Sequence, residues 1–114
     1  EDDAFRVILD LGPAAKGHAL ILPKEHYENL YELPDKTAAG AMLLAKKMAA
    51  LMKEKLGCDG LNLIQNNGET AGQTVFHFHM HLIPRYKDDG QKIGGVQGIA
   101  EAEELEEIRK LIAE

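Results

Sequence analysis

The sequence predicts an α+β domain, in which helices pack on one face of an antiparallel sheet. Short apolar runs bounded by glycine, proline or asparagine occur early and in the middle of the chain, and a long helix-forming segment separates them. A second amphipathic segment closes the chain. Strands joined by tight links pair antiparallel, and each amphipathic helix must bury its apolar stripe. At 114 residues, the chain is expected to form one domain, residues 1–114, with its own core.

The apolar runs indicate four strands. Residues 4–9 and 17–22 are expected to form a hairpin around a loop that contains Gly12 and Pro13. Pro23 ends the second strand, because proline cannot donate to a ladder. Residues 61–65 form the third strand, and a fourth begins near residue 74. Residues 93–98 are glycine-rich and ambiguous.

Two helices are predicted. The segment 34–56 is rich in Ala, Leu, Met and Lys, with Pro34 suited to the first helical position and Gly57 to the left-handed cap. Leu43 falls outside the inward stripe and could serve an oligomer contact. The stripe itself is expected to contain Ala41, Leu44, Met48, Leu51 and Met52. The final helix, residues 101–113, repeats apolar residues at three- and four-residue spacing: Leu105, Ile108, Leu111 and Ile112.

The most informative stretch holds three histidines at alternate positions, His77, His79 and His81. Alternation predicts a half-buried strand, so the imidazoles share one face while the intervening apolar side chains pack into the core. Those side chains are Phe76, Phe78, Met80 and Leu82. Imidazole can act near neutral pH as nucleophile, general acid, general base or metal ligand. Three on one patch therefore indicate chemistry.

The residues around this strand narrow that chemistry. The chain contains no serine, which excludes a serine nucleophile. Gly68, Gly72, Gln73 and Thr74 precede the histidines and can present donors to phosphate oxygens, although a glycine turn can also be purely structural. The histidine pattern leaves two further hypotheses open. His-x-His could bind a metal with His18 or His26, or the histidines could simply be exposed on an open sheet face.

Composition excludes several classes of function. The net charge of −6 argues against a broad surface for nucleic acid polymers or anionic membranes. No apolar run approaches the roughly 18 residues that span a bilayer. Cys58 is the single cysteine, and the acidic start does not suit a secretory segment, so a cytoplasmic location is expected. The chain opens without methionine directly before a strand, and we expect a short N-terminal segment to be missing.

The stretch His77-Phe78-His79-Met80-His81-Leu82-Ile83 resembles the His-x-His-x-His-x-x motif, x being hydrophobic, of the histidine triad (HIT) superfamily. The resemblance extends through residues 72–75 and Asn66 to residues 17–26, and so covers nearly the whole chain. It is closest to the bacterial-type histidine triad nucleotide-binding proteins. It implies a sheet of about five strands with one long central helix and a C-terminal helix, and a homodimer that joins two such sheets.

The resemblance also implies a reaction. Such a protein hydrolyses or transfers purine nucleotides at the α-phosphorus, as a nucleoside phosphoramidase does, with no metal or other cofactor. His79 would attack phosphorus and form a nucleotidyl-histidine that water cleaves. The His77 carbonyl would orient His79, the His77 side chain and His18 would support it, and His81 would bind a phosphate oxygen. Hydrolysis of dinucleoside polyphosphates, or nucleotide binding with incidental catalysis, are the alternatives.

The remaining implied contacts are to the nucleotide. Asp10 would bind the ribose hydroxyls, and Leu11, with Ile8 and Leu20, would line the base pocket. Phosphate, ribose or leaving group would be contacted by Asn66, Gly72, Gln73 and Thr74.

One implied feature is missing from the sequence. Many bacterial relatives carry a Cys-x-x-Cys pair near the N-terminus, which can hold a structural zinc with the equivalents of His26 and His77. This chain has no such pair, so no metal site is expected for it.

Overall fold

The computed structural model describes residues 3–9, 17–90 and 101–113. Within these ranges, four strands form one antiparallel sheet in the order β1-β2-β4-β3: β1 (Phe5–Leu9), β2 (Ala19–Pro23), β3 (Gly60–Ile64) and β4 (Met80–Arg85). The helices are α1 (Asp35–Leu56) and α2 (Ala102–Ala113), and short 3₁₀ turns span Leu30–Glu32 and Glu69–Ala71. The predicted α+β class is confirmed, with four strands described where about five were expected.

Helix α1 ends where the sequence predicts. Gly57 has a φ of 63°, in the left-handed region that favours glycine. Pro34 precedes the helix as its N-cap with extended backbone, one position earlier than predicted. No helix of the described residues is long and apolar enough to cross a membrane.

The inward stripe of α1 differs from the prediction at one position. Ala41, Ala45 and Met52 are buried, whereas Leu51 is 41% exposed, so its predicted place in the stripe is wrong. At 100° per residue, Leu51 points about 90° away from the centre of the stripe that Ala41, Ala45 and Met52 share with Met48. Two alanines face the core, and such small side chains allow the helix backbone to approach the sheet closely.

Strand register separates the two faces of the sheet. Val7, Ile21 and Met80 are cross-strand neighbours that pack in or against the core on the side of α1. The next row lies on the opposite face, because side chains alternate along each strand. It crosses all four strands: Ile8, Leu20, His81 and Ile64.

The histidine stretch joins the sheet later than predicted. Phe78, Met80 and Leu82 are buried as expected, but Phe76 is 46% exposed, so its predicted core position is wrong. Strand β4 starts only at Met80. Before it, the Phe78 amide donates to the carbonyl of Tyr27 at 2.6 Å, which ties this segment to the connection after β2 instead of to the sheet. Alternation therefore holds only from Phe78 onward.

Helix α2 occupies the predicted range with its stripe uncovered. None of its described residues is buried. The four apolar residues are 44–78% exposed: Leu105, Ile108, Leu111 and Ile112. The glycine-rich residues 93–98 lie outside the described part of the chain.

Candidate active site

His79 lies immediately before β4, half-buried, with its orientation fixed by the backbone. Its Nδ1 is 2.7 Å from the carbonyl oxygen of His77. A carbonyl can only accept, so Nδ1 carries the proton, and in the neutral ring Nε2 keeps its lone pair. This is the tautomer that a nucleophile or general base needs.

The ring of His77 points to the connection after β2. Its Nε2 lies 2.9 Å from the carbonyl oxygen of Pro23 and must donate to it. In the neutral ring, Nδ1 therefore accepts from Nδ1 of His26, 3.0 Å away. These two bonds hold the residue whose carbonyl orients His79.

His81 and His18 form a second imidazole pair. His18 is 5% exposed, and its Nε2 lies 3.0 Å from Nδ1 of His81. The rings of His79 and His81 meet edge to face, with centroids 5.0 Å apart. The five histidines of the chain thus form two groups, His18–His81–His79 and His26–His77, instead of one even row.

Gln73 is the clearest correction at the site. Its side chain is 2% exposed and donates through Nε2 to the carbonyls of Glu28 (2.7 Å) and Val75 (3.1 Å). Its Oε1 accepts from the Gly68 amide at 2.8 Å. Both N–H donors are used internally, so the predicted direct contact of this side chain with a phosphate does not fit the structure.

The other predicted loop residues remain accessible. Thr74 is exposed, Asn66 is half-buried, and Gly72 has a φ of 98°, which requires glycine. A Cβ at Gly72 would stand 3.7 Å from the Asn66 amide nitrogen, so these two residues line the same turn. The Asn66 side chain makes no hydrogen bond to any other described residue.

The nucleoside end of the site is described in part. Asp10 and Leu11 lie outside the described residues. Ile8 is 42% exposed, and Leu20 and His81 are half-buried in the row on the open face. Ile64 ends this row beside His81 and was missed from the sequence, although its place follows once β3 is paired with β4. An apolar floor therefore adjoins the histidines.

A separate cavity of about 520 Å³ lies between the start of β1, the connection after β2 and the start of α1. Its lining includes Lys24, Glu25 and Tyr27 but no histidine. The Tyr27 hydroxyl donates to Glu25 at 2.6 Å, which raises the pKa of Tyr27. No cluster of three or more metal-ligating side chains occurs within the described ranges.

Comparisons with known proteins point to one family. A family model described as the HIT domain matches residues 1–88. An uncharacterized HIT-like protein of Methanocaldococcus jannaschii is 44% identical over 111 residues, which cover 96% of this chain and 85% of that protein. The adenosine 5'-monophosphoramidase of Saccharomyces cerevisiae is 45% identical over 87 residues, 76% of this chain but only 52% of that protein.

A solved structure gives the same result for the fold. The crystal structure of a HIT family member from Bacillus subtilis matches with a TM-score of 0.87 at 40% identity. The match covers 99% of this chain and 82% of that one.

Proposed function

This chain belongs to the histidine triad (HIT) superfamily, and from that membership and the histidine geometry we propose that it is a metal-independent nucleotide hydrolase of the purine nucleoside phosphoramidase type. The observation that carries the proposal is the bond from His79 Nδ1 to the His77 carbonyl, 2.7 Å long. It directs the unprotonated Nε2 away from the backbone. The relative from Saccharomyces cerevisiae is named an adenosine 5'-monophosphoramidase, which supports this substrate class.

The proposed reaction has two displacements at the α-phosphorus. His79 Nε2 attacks, the P–Nε2 bond forms, and the P–N bond to the amine breaks as the amine leaves with a proton taken up from solvent, which the water step later returns. Water then attacks the same phosphorus, the P–Nε2 bond breaks, and the nucleoside monophosphate leaves with release of a proton. The substituted imidazole carries positive charge between these steps, and the His77 carbonyl stabilises it through Nδ1–H.

His81 and His18 would serve the phosphate. The Nδ1 of His81 is joined to His18, so Nε2 is the nitrogen that would donate to a phosphate oxygen. For Nε2 to carry the proton in the neutral ring, His18 Nε2–H must be the donor to His81 Nδ1. His18 therefore sets the tautomer of His81.

The nucleoside contacts and the assembly belong to the same proposal. Asp10 would bind the ribose hydroxyls, and Leu11, Ile8 and Leu20 would contact the purine. A homodimer is supported by the apolar surface of α1, where Leu43 is 69% exposed. The cytoplasmic location stays a prediction.

The test is hydrolysis of adenosine 5'-phosphoramidate, followed by release of AMP. We expect turnover by the wild-type chain in excess chelator, and its loss in His79→Ala, with folding and AMP binding retained. Turnover by His79→Ala near the wild-type rate would refute the proposal. Inhibition by chelator that is reversed by added zinc would favour metal-dependent hydrolysis instead.

A further inference from the structure

Amide side chains tie the loop after β3 to the connection after β2. Gln65 Nε2 donates to Asn67 Oδ1 at 2.8 Å, and Asn67 Nδ2 donates back to Gln65 Oε1 at 2.7 Å. Asn67 Oδ1 also accepts from the backbone amide of Leu30 at 2.8 Å. The Asn67 side chain therefore links the loop both to Gln65, just after β3, and to the connection after β2.

Gln73 makes the second tie, at the other end of the same loop. It binds the Gly68 amide within the loop and the Glu28 carbonyl of the facing connection. The Gln73 backbone amide also donates to the Gly68 carbonyl at 3.0 Å. Hydrogen bonds between Gly68 and Gln73 thus close residues 68–73 into a loop. Asn67 and Gln73, at its two ends, attach this loop to the connection after β2.

The end of β2 and the facing connection also bind the residues just before His79. The Pro23 carbonyl accepts from the His77 ring, and the Tyr27 carbonyl accepts from the Phe78 amide. The loop and the residues flanking His79 are therefore positioned against one piece of backbone, residues 23–30. A shift of the loop relative to residues 23–30 therefore changes the distance between the loop and the His79 ring.

We propose that Gln73 and Asn67 are positioning residues, which touch no ligand and hold Asn66, Gly72 and Thr74 at the distance from His79 that phosphate binding requires. This inference rests on the proposed function. It assigns different roles to adjacent residues: the Asn66 amide faces the turn at Gly72, whereas the Asn67 amide is used internally. Likewise Thr74 is exposed and Gln73 is buried.

The chemistry at each position explains why an amide is needed. Gln73 supplies two donors and one acceptor at once, a combination that glutamate loses on ionisation and methionine lacks. Asn67 Oδ1 accepts two hydrogen bonds, which aspartate could also accept, whereas leucine can accept none. Asn67→Asp is therefore the closer variant, because it keeps both accepted bonds, although it loses the donation to Gln65 and adds a negative charge.

The test compares a ligand that has a phosphate with one that lacks it. Calorimetric affinities for AMP and adenosine are measured for wild type, Gln73→Met, Asn67→Leu and Asn67→Asp. Asn62→Leu is the control, since it removes an amide in the middle of β3, outside the loop, that accepts from Arg85 at 2.8 Å.

We expect Gln73→Met and Asn67→Leu to weaken AMP binding by about tenfold or more, because each variant loses several hydrogen bonds, of a buried side chain at Gln73 and of a half-buried one at Asn67. Adenosine binding should stay within about twofold, because the proposal assigns Asn66, Gly72 and Thr74 to the phosphate, which adenosine lacks. Asn67→Asp should bind AMP more tightly than Asn67→Leu does, because it keeps both accepted bonds, although its negative charge repels the phosphate. Asn62→Leu should change the affinity for neither ligand.

Equal weakening of AMP and adenosine, or unchanged AMP affinity in Asn67→Leu, would overturn the positioning role. If Gln73→Met does not fold, the comparison of Asn67→Leu with Asn67→Asp still tests the positioning role. A wild-type chain that prefers AMP to adenosine but hydrolyses no phosphoramidate refutes the proposed function alone. A wild-type chain without that preference has no phosphate site, and both proposals then fail.

Discussion

Replacing His18 by leucine removes the imidazole that, in the proposed mechanism, donates to His81 and fixes its tautomer. The His18 side chain is 5% exposed, and its Nε2 stands 3.0 Å from His81 Nδ1. Leucine leaves that nitrogen without its imidazole partner, so His81 can move its proton from Nε2 to Nδ1 and lose its ability to donate to phosphate. The lost interaction of a buried polar group is worth roughly 1–3 kcal/mol, or about 5- to 150-fold in kcat/KM.

The conservative variant for this experiment is His18→Gln. A glutamine amide N–H can occupy nearly the same place as the imidazole Nε2–H and donate to His81. Steady-state hydrolysis of adenosine 5'-phosphoramidate should therefore fall steeply in His18→Leu and much less in His18→Gln. Thermal unfolding of both variants separates this effect from general loss of structure. Equal kcat/KM in the two folded variants would refute the assigned donor.

Two further predictions use matched pairs. Alanine at Gly72 (φ 98°) or at Gly57 (φ 63°) should each lower the free energy of unfolding by about 1–2 kcal/mol, but only Gly72→Ala should reduce phosphoramidate turnover. Activity loss in both or neither would contradict the place of Gly72 in the site. In α1, Ala45→Leu should overpack a 2% exposed position and cost about 1–3 kcal/mol in urea unfolding. Leu51→Ala, at 41% exposure, should cost about 1 kcal/mol or less, and a reversed order would refute the inward stripe.

Much of the fold follows from local sequence. The end of α1 is predictable because Gly57 is a residue that tolerates a left-handed cap, and the strands are predictable from short apolar runs between turn residues. The sequence does not predict that Ala45, and not Leu51, faces the core, because this choice depends on how closely the helix approaches the sheet. Helix periodicity places Leu51 about 90° from the centre of the stripe only after packing on the sheet has fixed where that centre lies.

The histidine positions were predictable, but their grouping was not. Alternation places His77, His79 and His81 on one face only if all three belong to the same strand. In the structure, the carbonyl of Pro23, at the end of β2, accepts from the His77 ring, and the carbonyl of Tyr27 accepts from the Phe78 amide. These hydrogen bonds join residues about 50 positions apart in sequence, a pairing that a periodic pattern does not encode.

The internal role of Gln73 was missed for a similar reason. A polar residue beside a glycine turn and a histidine motif suggests a ligand contact. The carbonyl that occupies its amide belongs to Glu28, 45 residues away, and becomes visible only when the fold is known. Buried amides satisfied by distant backbone are therefore the part of such a site that sequence patterns describe least well.

The central claim is that His79 is the nucleophile, and the most direct measurement is mass spectrometry of the adenylated intermediate. The wild-type chain is mixed with adenosine 5'-phosphoramidate, quenched within one turnover, digested and mapped, with His79→Ala as the control. We expect an AMP adduct on His79 in the wild-type chain and none in the variant. An adduct on His77 or His81 would contradict the central claim.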